Sequence, residues 1–519
     1  MQKKMVAIFI LALILKQLLW SAFIPLWHFP DEQAHFAQVQ NYAEGNVVDR
    51  GGLNTTSQEI YQSEVFLGTD RDWAGNNKFT YHPEYNVTYS NTAIGIYENE
   101  IKNFPQSFRK EMIIAEATRY PPLYYRIVSF AYSLFYSYDL IARVFVVRII
   151  SIIFFLGLVI VSYHISRQLF PQNTVSHITL PVLIGFHPMF SYVSAGVNSD
   201  NLFNLLFAIS LLTSLRLLKN GWKLLDIFVM LLTLILASYT KPQGKLMILI
   251  YLFPMIVTML THKKRKYFLF VLISGMVVIG IALRDFFINQ QFISDIPGLI
   301  FIQNLSIQSF LQHSMWTLKH TYREVLPWYW GVFRWLSLTY PRSIYRAINI
   351  ISAFSLVGLG IAVFRTLTHK KIVVEKLQLW FLFYASISYF FAITVFDYLF
   401  TLSHHFSLGI QGRYFFPTLV SQTALLIIGF YTIIPENSFK KVLIQLLGLG
   451  MILLHVYSFF FVISSYYSFQ SIRIFFLQAS QYKPEFFKTP YLEFYLACSF
   501  LSLFFLIWYY LRIQTHEKT

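Results

Sequence analysis

"YPPLYYRIVSFAYSLFYS", residues 120–137, is the stretch whose reading decides the topology. It is apolar enough to cross a bilayer, and nearly all the other apolar runs follow it. If it crossed, every later loop would change sides, and the basic cluster "THKKRK" at 261–266 would face outward. Short loops rich in Lys and Arg stay cytoplasmic. The stretch is therefore expected to form an amphipathic or re-entrant helix lying on the outer leaflet.

With that segment on the surface, the remaining runs of about 17 to 25 apolar residues read as spans. They fall near 5–26, 144–166, 176–193, 198–218, 223–239, 244–261, 267–283, 346–366, 377–398, 412–433, 441–464 and 491–512. Lys3 and Lys4 start on the cytoplasmic side. Arg216, Lys219, Lys223, "HKK" at 369–371, Lys440, Lys441 and Arg512 belong there too. The expected fold class is an all-α polytopic membrane protein of about twelve transmembrane helices, multi-pass in the plasma membrane, with both termini cytoplasmic.

Composition agrees. Of 519 residues, 56% are hydrophobic and 13% are charged, where soluble domains carry about a quarter charged. The lipid bilayer is thus a partner. A net charge of +16 would suggest nucleic acid in a soluble protein, but no zinc pattern, RNA-binding signature or long basic run is present, so no nucleic-acid partner is expected. Cys498 is alone, which rules out an intrachain disulfide or a cysteine metal site. "MQKK" and the run after it suit a retained anchor, because no small-residue cleavage site follows. The whole chain, 1–519, reads as one membrane domain with two outer elaborations at 27–143 and 284–345; a first loop of that length is uncommon unless functional.

The first loop begins with "HFPDEQAHFAQVQNYAEGN", residues 28–46, and carries two adjacent acids where the chain leaves the bilayer. Pro30, Asp31 and Glu32 make a good helix start, and Gly45 a good stop, so a helix is expected over roughly 30–44 with Asp31 and His35 one turn apart. One reading is that the acids only cap an interfacial helix. The other is chemical. "GVNSDN" at 196–201 places Asn198 and Asp200 at another outer edge, "YTKPQGK" at 239–245 adds Lys241, and "GIQGRYF" at 409–415 adds Arg413. A lone cation at a helix end is usually a snorkelling anchor. Two cations on the side that the charge bias depletes, together with two acidic sites, suit a phosphate-bearing substrate and a step that needs a base.

"FPDEQAHFAQ", "RYPPLYYRI", "GFHPMFSYVSAGVNSDNLFNLL", "SYTKPQGKL", "YWGVFRWL" and "GIQGRYFFP" occur in that order. Together they resemble the membrane family called domain of unknown function 2142, one of the GT-C-type glycosyltransferases, over roughly residues 1–430. The resemblance implies a GT-C-like fold and a sugar donor carried on polyprenyl phosphate. It also implies an extracytoplasmic active site, inversion at the anomeric centre and a cell-envelope glycan, lipid or protein as acceptor. Carried onto this chain, Asp31 is the favoured base with Glu32 second, Asp200 is the second acidic position, and Lys241 and Arg413 bind the lipid phosphate.

Other candidates carry bland readings of equal or greater weight. His35 could join Asp31 on a metal, and the acids could ligate Mg2+ or Mn2+, though no diagnostic spacing marks such a site and no cofactor is certain. His404 and His405 lie near Arg413 and could touch phosphate. Trp328, Trp330 and Trp335 could stack on a sugar or sit in an aromatic belt. Asn86 and Asn304 stand in glycosylation-like sequons. Two competing functions remain: a transporter or flippase of lipid-linked saccharides, and a scaffold. A flippase needs polar groups along a path through the bilayer, where mid-span acids are scarce here, and a scaffold needs no Asp–Asp–Lys–Arg set.

Overall fold

The computed structural model describes residues 2–46, 55–73, 75–115, 117, 120–262, 306–370, 372–434 and 438–513. The expected span at 267–283, most of "THKKRK", the turn "RGGLN", the sequon at Asn304 and the start of the outer region at 284–345 lie outside the described residues.

Among the described residues, nine helices are long and apolar enough to cross a membrane: Lys4–Phe23, Leu140–Leu169, Asp200–Asn220, Pro242–Thr261, Arg342–Leu367, Lys376–His404, Gly412–Ile433, Lys440–Ile463 and Tyr491–Leu511. All nine coincide with expected spans. Two further expected spans are shorter than anticipated. The one at 223–239 is the 15-residue helix Leu224–Ser238. The one at 176–193 is broken in two, Thr174–Gly185 and Pro188–Ser194. The break follows from "GFHP": His187 leaves helical geometry, its ring accepts from the Phe190 N–H at 3.3 Å, and Pro188 starts the next turn.

The stretch at 120–137 forms the 12-residue helix Leu123–Leu134. At 1.5 Å per residue it is about 18 Å long, too short for a hydrocarbon core of about 30 Å. Tyr124, Tyr125, Val128 and Tyr132 are buried, whereas Ile127, Phe130 and Leu134 are exposed. One face packs on the helix Glu32–Glu44 and the other is left apolar and open, which agrees with the expected amphipathic segment.

Two helices sit at the centre of the bundle. Asp200–Asn220 is 83% buried and Gly412–Ile433 is 78% buried across their apolar windows, against 17% for Tyr491–Leu511 at the periphery. The central pair begins with Asp200 and, one residue in, Arg413, so the best-fixed backbone in the molecule carries those charges. Close packing beside them depends on small residues: a Cβ on Gly358 would lie 2.0 Å from the Gly429 carbonyl oxygen. Between the first and second spans, Thr55–Ser57 pairs antiparallel with Met112–Ile114, Thr55 opposite Ile114. A second small hairpin pairs Val332–Phe333 with Leu338–Thr339.

Contacts between the helix ends gather them into two groups. Phe23 meets Tyr467, Asp200 meets Lys241 and Arg413 meets Asp31 in one, while Lys219 meets Glu375 and Lys440 meets Tyr431 in the other. The first set of helix ends surrounds the site.

Candidate functional site

The helix Glu32–Glu44 starts differently from the expected capped helix. Asp31 occupies the N-cap position in the left-handed region, φ 58° and ψ 19°, and its side chain makes no cap hydrogen bond. Its carboxylate faces away from the helix and accepts from Arg413 Nη2 at 2.5 Å and Arg71 Nη2 at 3.2 Å. The capping reading fails because two guanidinium groups outcompete the backbone N–H groups for this carboxylate. A non-glycine residue held in this conformation costs roughly 1–3 kcal/mol, and such residues cluster at functional sites. Burial pushes the Asp31 carboxyl up, but Arg413 and then Arg71 outweigh it and hold it well below the usual carboxylate range.

A second ion pair stands beside the first. Asp200, the first residue of its helix, accepts from the Lys241 ammonium, and both residues are buried. Lys241 caps the short turn Pro242–Leu246 and sits 5.3 Å over the Tyr120 ring. His35 lies between the two pairs and feels the charges of Asp31, Asp200, Lys241 and Arg413. Its Nδ1 and the Tyr125 hydroxyl are 2.8 Å apart. Burial, chiefly, pushes the imidazole down to about 4, so it is neutral near pH 7. Asp31, Asp200, Lys241, Arg413 and His35 thus converge from four separate parts of the chain.

A cavity of about 550 Å³ opens beside Asp31. Arg71, Arg334 and Arg413 line it with Glu324, His28, Trp316, Trp328 and Trp335. Gly412 lets the Arg413 turn approach this wall: a Cβ there would lie 2.2 Å from the Tyr329 backbone nitrogen. Trp335 stacks on Arg71, whose guanidinium carbon is 4.4 Å from the ring centre.

Of the expected site residues, Asp31 and Arg413 line this cavity; Asp200, Lys241 and His35 are not part of its wall but couple to it by charge, and four more are placed elsewhere. Glu32 is fully buried and does not line the cavity. Both of its oxygens accept from Arg148, at 2.8 and 2.6 Å, while the same guanidinium donates to the carbonyls of Ser21, Ile24 and Pro25. The pair ties the end of the first span to the loop, and the Val197 N–H also donates to Glu32, at 3.3 Å. Asn198 is a brace: its Oδ1 accepts from the Asp200 N–H at 2.9 Å and its Nδ2 reaches the Pro30 carbonyl at 3.5 Å. His405 ends its helix in the left-handed region at φ 63° and is exposed; the cavity wall is built instead by Ser407, Leu408 and Gly409. Trp330 turns from the cavity and stacks on His187 with ring centres 4.9 Å apart, leaving Trp328 and Trp335 to face it.

Sequence reasoning missed Arg71, Arg148 and Arg334. Arg148 carried a usable signal, since an arginine inside the apolar run 144–166 needs a buried partner. Arg334 stands inside the quoted motif "YWGVFRWL" but was passed over for its aromatic neighbours, and Arg71 lies in loop sequence with no periodicity to flag it.

Among the described residues no three His, Cys, Asp or Glu side chains form a metal cluster. Asp31 and Asp200 each already hold a cation supplied by the chain. With both acids so paired, the donor set does not fit the Mg2+ or Mn2+ raised above as possible, and no step below is routed through a metal.

The family described as "Predicted membrane protein (DUF2142)" matches residues 14–421. No curated protein matches. Among solved structures, the chain is similar to the archaeal oligosaccharyltransferase AglB of Archaeoglobus fulgidus, in complex with an inhibitory peptide and a dolichol-phosphate. The identity is 12% and the TM-score 0.46, covering 90% of this chain and 56% of that one. It is also similar to ArnT of Cupriavidus metallidurans bound to undecaprenyl phosphate, at 14% identity and TM-score 0.40, covering 97% of this chain and 77% of that one. The chain therefore spans little more than half the length of the archaeal enzyme.

Proposed function

The chain belongs to the DUF2142 family of predicted membrane proteins, and from that premise we propose that it is a GT-C-type glycosyltransferase. In this reading it moves a sugar from a polyprenyl-phosphate donor to a cell-envelope acceptor, with inversion. The observation that carries the reading is the convergence of Asp31–Arg413 and Asp200–Lys241 at the same ends of the most buried helices. A lipid-borne donor explains that position. Its tail stays among the spans while its phosphate and sugar reach charged groups at their ends. The Lys and Arg residues at the opposite end support an extracytoplasmic site by charge bias.

Asp31 takes the proton of the acceptor hydroxyl as its oxygen forms a bond to the anomeric carbon. The bond from that carbon to the phosphate oxygen breaks, and its electron pair leaves with the lipid phosphate. Attack on the face opposite the leaving group inverts the centre. Phosphate charge grows through this step, so Arg413 and Lys241 stabilise the transition state more than the ground state. The donor phosphate competes with Asp31 for Arg413. Its arrival withdraws the strongest influence holding the carboxylate's basicity down, so the base gains strength when the donor is in place.

The test uses the full chain in nanodiscs with a synthetic short-chain polyprenyl-phosphate sugar. Asp31→Asn keeps the shape but removes the base, and should cut turnover by about 10²–10⁴-fold without weakening donor binding. Near-normal turnover in Asp31→Asn removes it as the base. In liposomes, movement of labelled lipid across the bilayer without sugar transfer would instead support a flippase.

A further inference from the structure

Arg334 takes no part in the two ion pairs, yet the fold goes to some length to place it. Arg334, Trp335 and Leu336 are three consecutive non-glycine residues in the left-handed region, at φ 50°, 52° and 62°. They form the tip of the hairpin between Val332–Phe333 and Leu338–Thr339. L-residues visit this region singly, and runs of it are disfavoured. The tip is held by other parts of the chain: the Tyr81 N–H donates to the Trp335 carbonyl at 3.0 Å, and Arg334 Nη1 donates to the Ser465 carbonyl at 3.1 Å. Strain of this kind persists only where the surroundings over-determine it, and it clusters at ligand clamps.

The side chain so placed is 3% exposed and lines the cavity. Its Nη2 donates to Asn86 Oδ1 at 3.3 Å, while its buried Nε has no hydrogen-bond partner. No carboxylate among the described residues lies within ion-pair distance of it. The rest of the cavity does not balance its charge. Asp31 is shared by Arg71 and Arg413, and Glu324 lies 3.6 Å from His320. A buried guanidinium with an unused donor and no counter-ion is costly unless an anion completes it.

We propose that Arg334, at the Arg71–Trp335 side of the cavity, is an anion subsite that takes a phosphate or carboxylate group of the acceptor. It is separate from the Lys241 and Arg413 groups assigned to the donor. The subsite rests on the transferase reading above and narrows the acceptor to one that carries negative charge near the hydroxyl it offers. The planar fork of the guanidinium suits either oxyanion, and the aromatic wall suits the sugar or polyol that bears it.

The experiment titrates glycerol 3-phosphate, glycerate and neutral glycerol into the full chain in nanodiscs, with and without saturating farnesyl phosphate. The wild type should bind glycerol 3-phosphate or glycerate while farnesyl phosphate is bound, and the tighter of the two identifies the acceptor's anion. Arg334→Gln should weaken that binding by about 10- to 100-fold, with farnesyl phosphate affinity unchanged within about twofold. Arg334→Lys should fall between, because it keeps the charge and loses the fork. If Arg334→Gln does not fold, Arg334→Lys carries the test, and unchanged anion affinity in it overturns the subsite. The subsite is also overturned by glycerol binding as tightly as its phosphate, by no anion binding beside farnesyl phosphate, or by Arg334→Gln losing farnesyl phosphate instead. That last result would move Arg334 to the donor. If farnesyl phosphate fails to bind the wild type, the donor assignment falls, while glycerol 3-phosphate binding to the donor-free protein still reports on Arg334.

Discussion

Arg413 Nη2 meets the Asp31 carboxylate at 2.5 Å, although 382 positions separate them in the sequence. Arg71 holds the other oxygen from within the same loop. The loop after the first span and the central helix Gly412–Ile433 are therefore joined at one carboxylate. Any ligand that draws Arg413 away changes the chemistry of Asp31 as well as its own surroundings.

This coupling has a pH signature. The folded Asp31 carboxyl is held below its ordinary value, so its contribution to stability is fully present above about pH 3.9 and is lost as pH falls through the lower folded value. The acid limb of kcat/KM, which reports the free enzyme's base, should therefore be absent from pH 5 to 8 in the wild type. Arg413→Gln removes the main lowering influence and leaves the upward push of burial opposed mainly by Arg71. The acid limb should then move up by about 1–3 pH units. An unmoved limb in Arg413→Gln would show that the group titrating is not Asp31.

Glu32 should behave as a structural residue despite standing next to the base. Glu32→Gln breaks a fully buried pair and leaves Arg148 without its counter-charge, at a cost of about 3–5 kcal/mol. Thermal unfolding in detergent should show a large loss for Glu32→Gln and Arg148→Met singly. The double variant should be less damaged than the two losses added together. A Glu32→Gln protein with wild-type stability and no turnover would return Glu32 to a chemical role.

Much of this architecture was legible in the residues, and the exceptions share a cause. Span positions, the surface helix within 120–137 and the convergence of Asp31, Asp200, Lys241 and Arg413 followed from hydropathy, loop charge and motif order. Those signals are local, or they mark polar groups where lipid makes them expensive. Sequence adjacency says nothing about which way a side chain turns, so it did not show that Glu32, Asn198 and Trp330 meet Arg148, the Asp200 N–H and His187, or that His405 is exposed. The left-handed backbone at Asp31 rotates its carboxylate toward Arg413 while Glu32 points at Arg148. One backbone angle separates the two roles. Arg71 and Arg334 were missed because their meaning lies in partners contributed by distant loops.

The side assignment makes a prediction about topology. Reporters fused near residues 100, 200, 320 and 405 should read outside, and one near 370 inside, because the helix ends at the site alternate with the basic ends. The helix Leu123–Leu134 is too short to reverse this order. Reporters near 100 and 200 that read inside, with one near 370 outside, would place the charged site in the cytoplasm and remove an extracytoplasmic acceptor.

Lys241 has two duties that a double variant can separate. Its ammonium neutralises the buried Asp200 carboxylate in the resting structure, and the transferase reading also assigns it the donor phosphate. Lys241→Met should destabilise the protein, and much of that loss should vanish in an Asp200→Asn background, with a coupling of about 0.5–3 kcal/mol. Farnesyl phosphate affinity should behave differently. If Lys241 contacts the phosphate directly, Lys241→Met lowers affinity by about 10- to 100-fold in either background, since a charge-assisted contact is lost each time. If Lys241 serves only Asp200, the affinity loss disappears once Asp200 is neutral, because the uncompensated carboxylate that would repel the phosphate is gone. Persistent loss in the Asp200→Asn protein therefore assigns Lys241 to the donor, and full recovery there reassigns it to the support of Asp200.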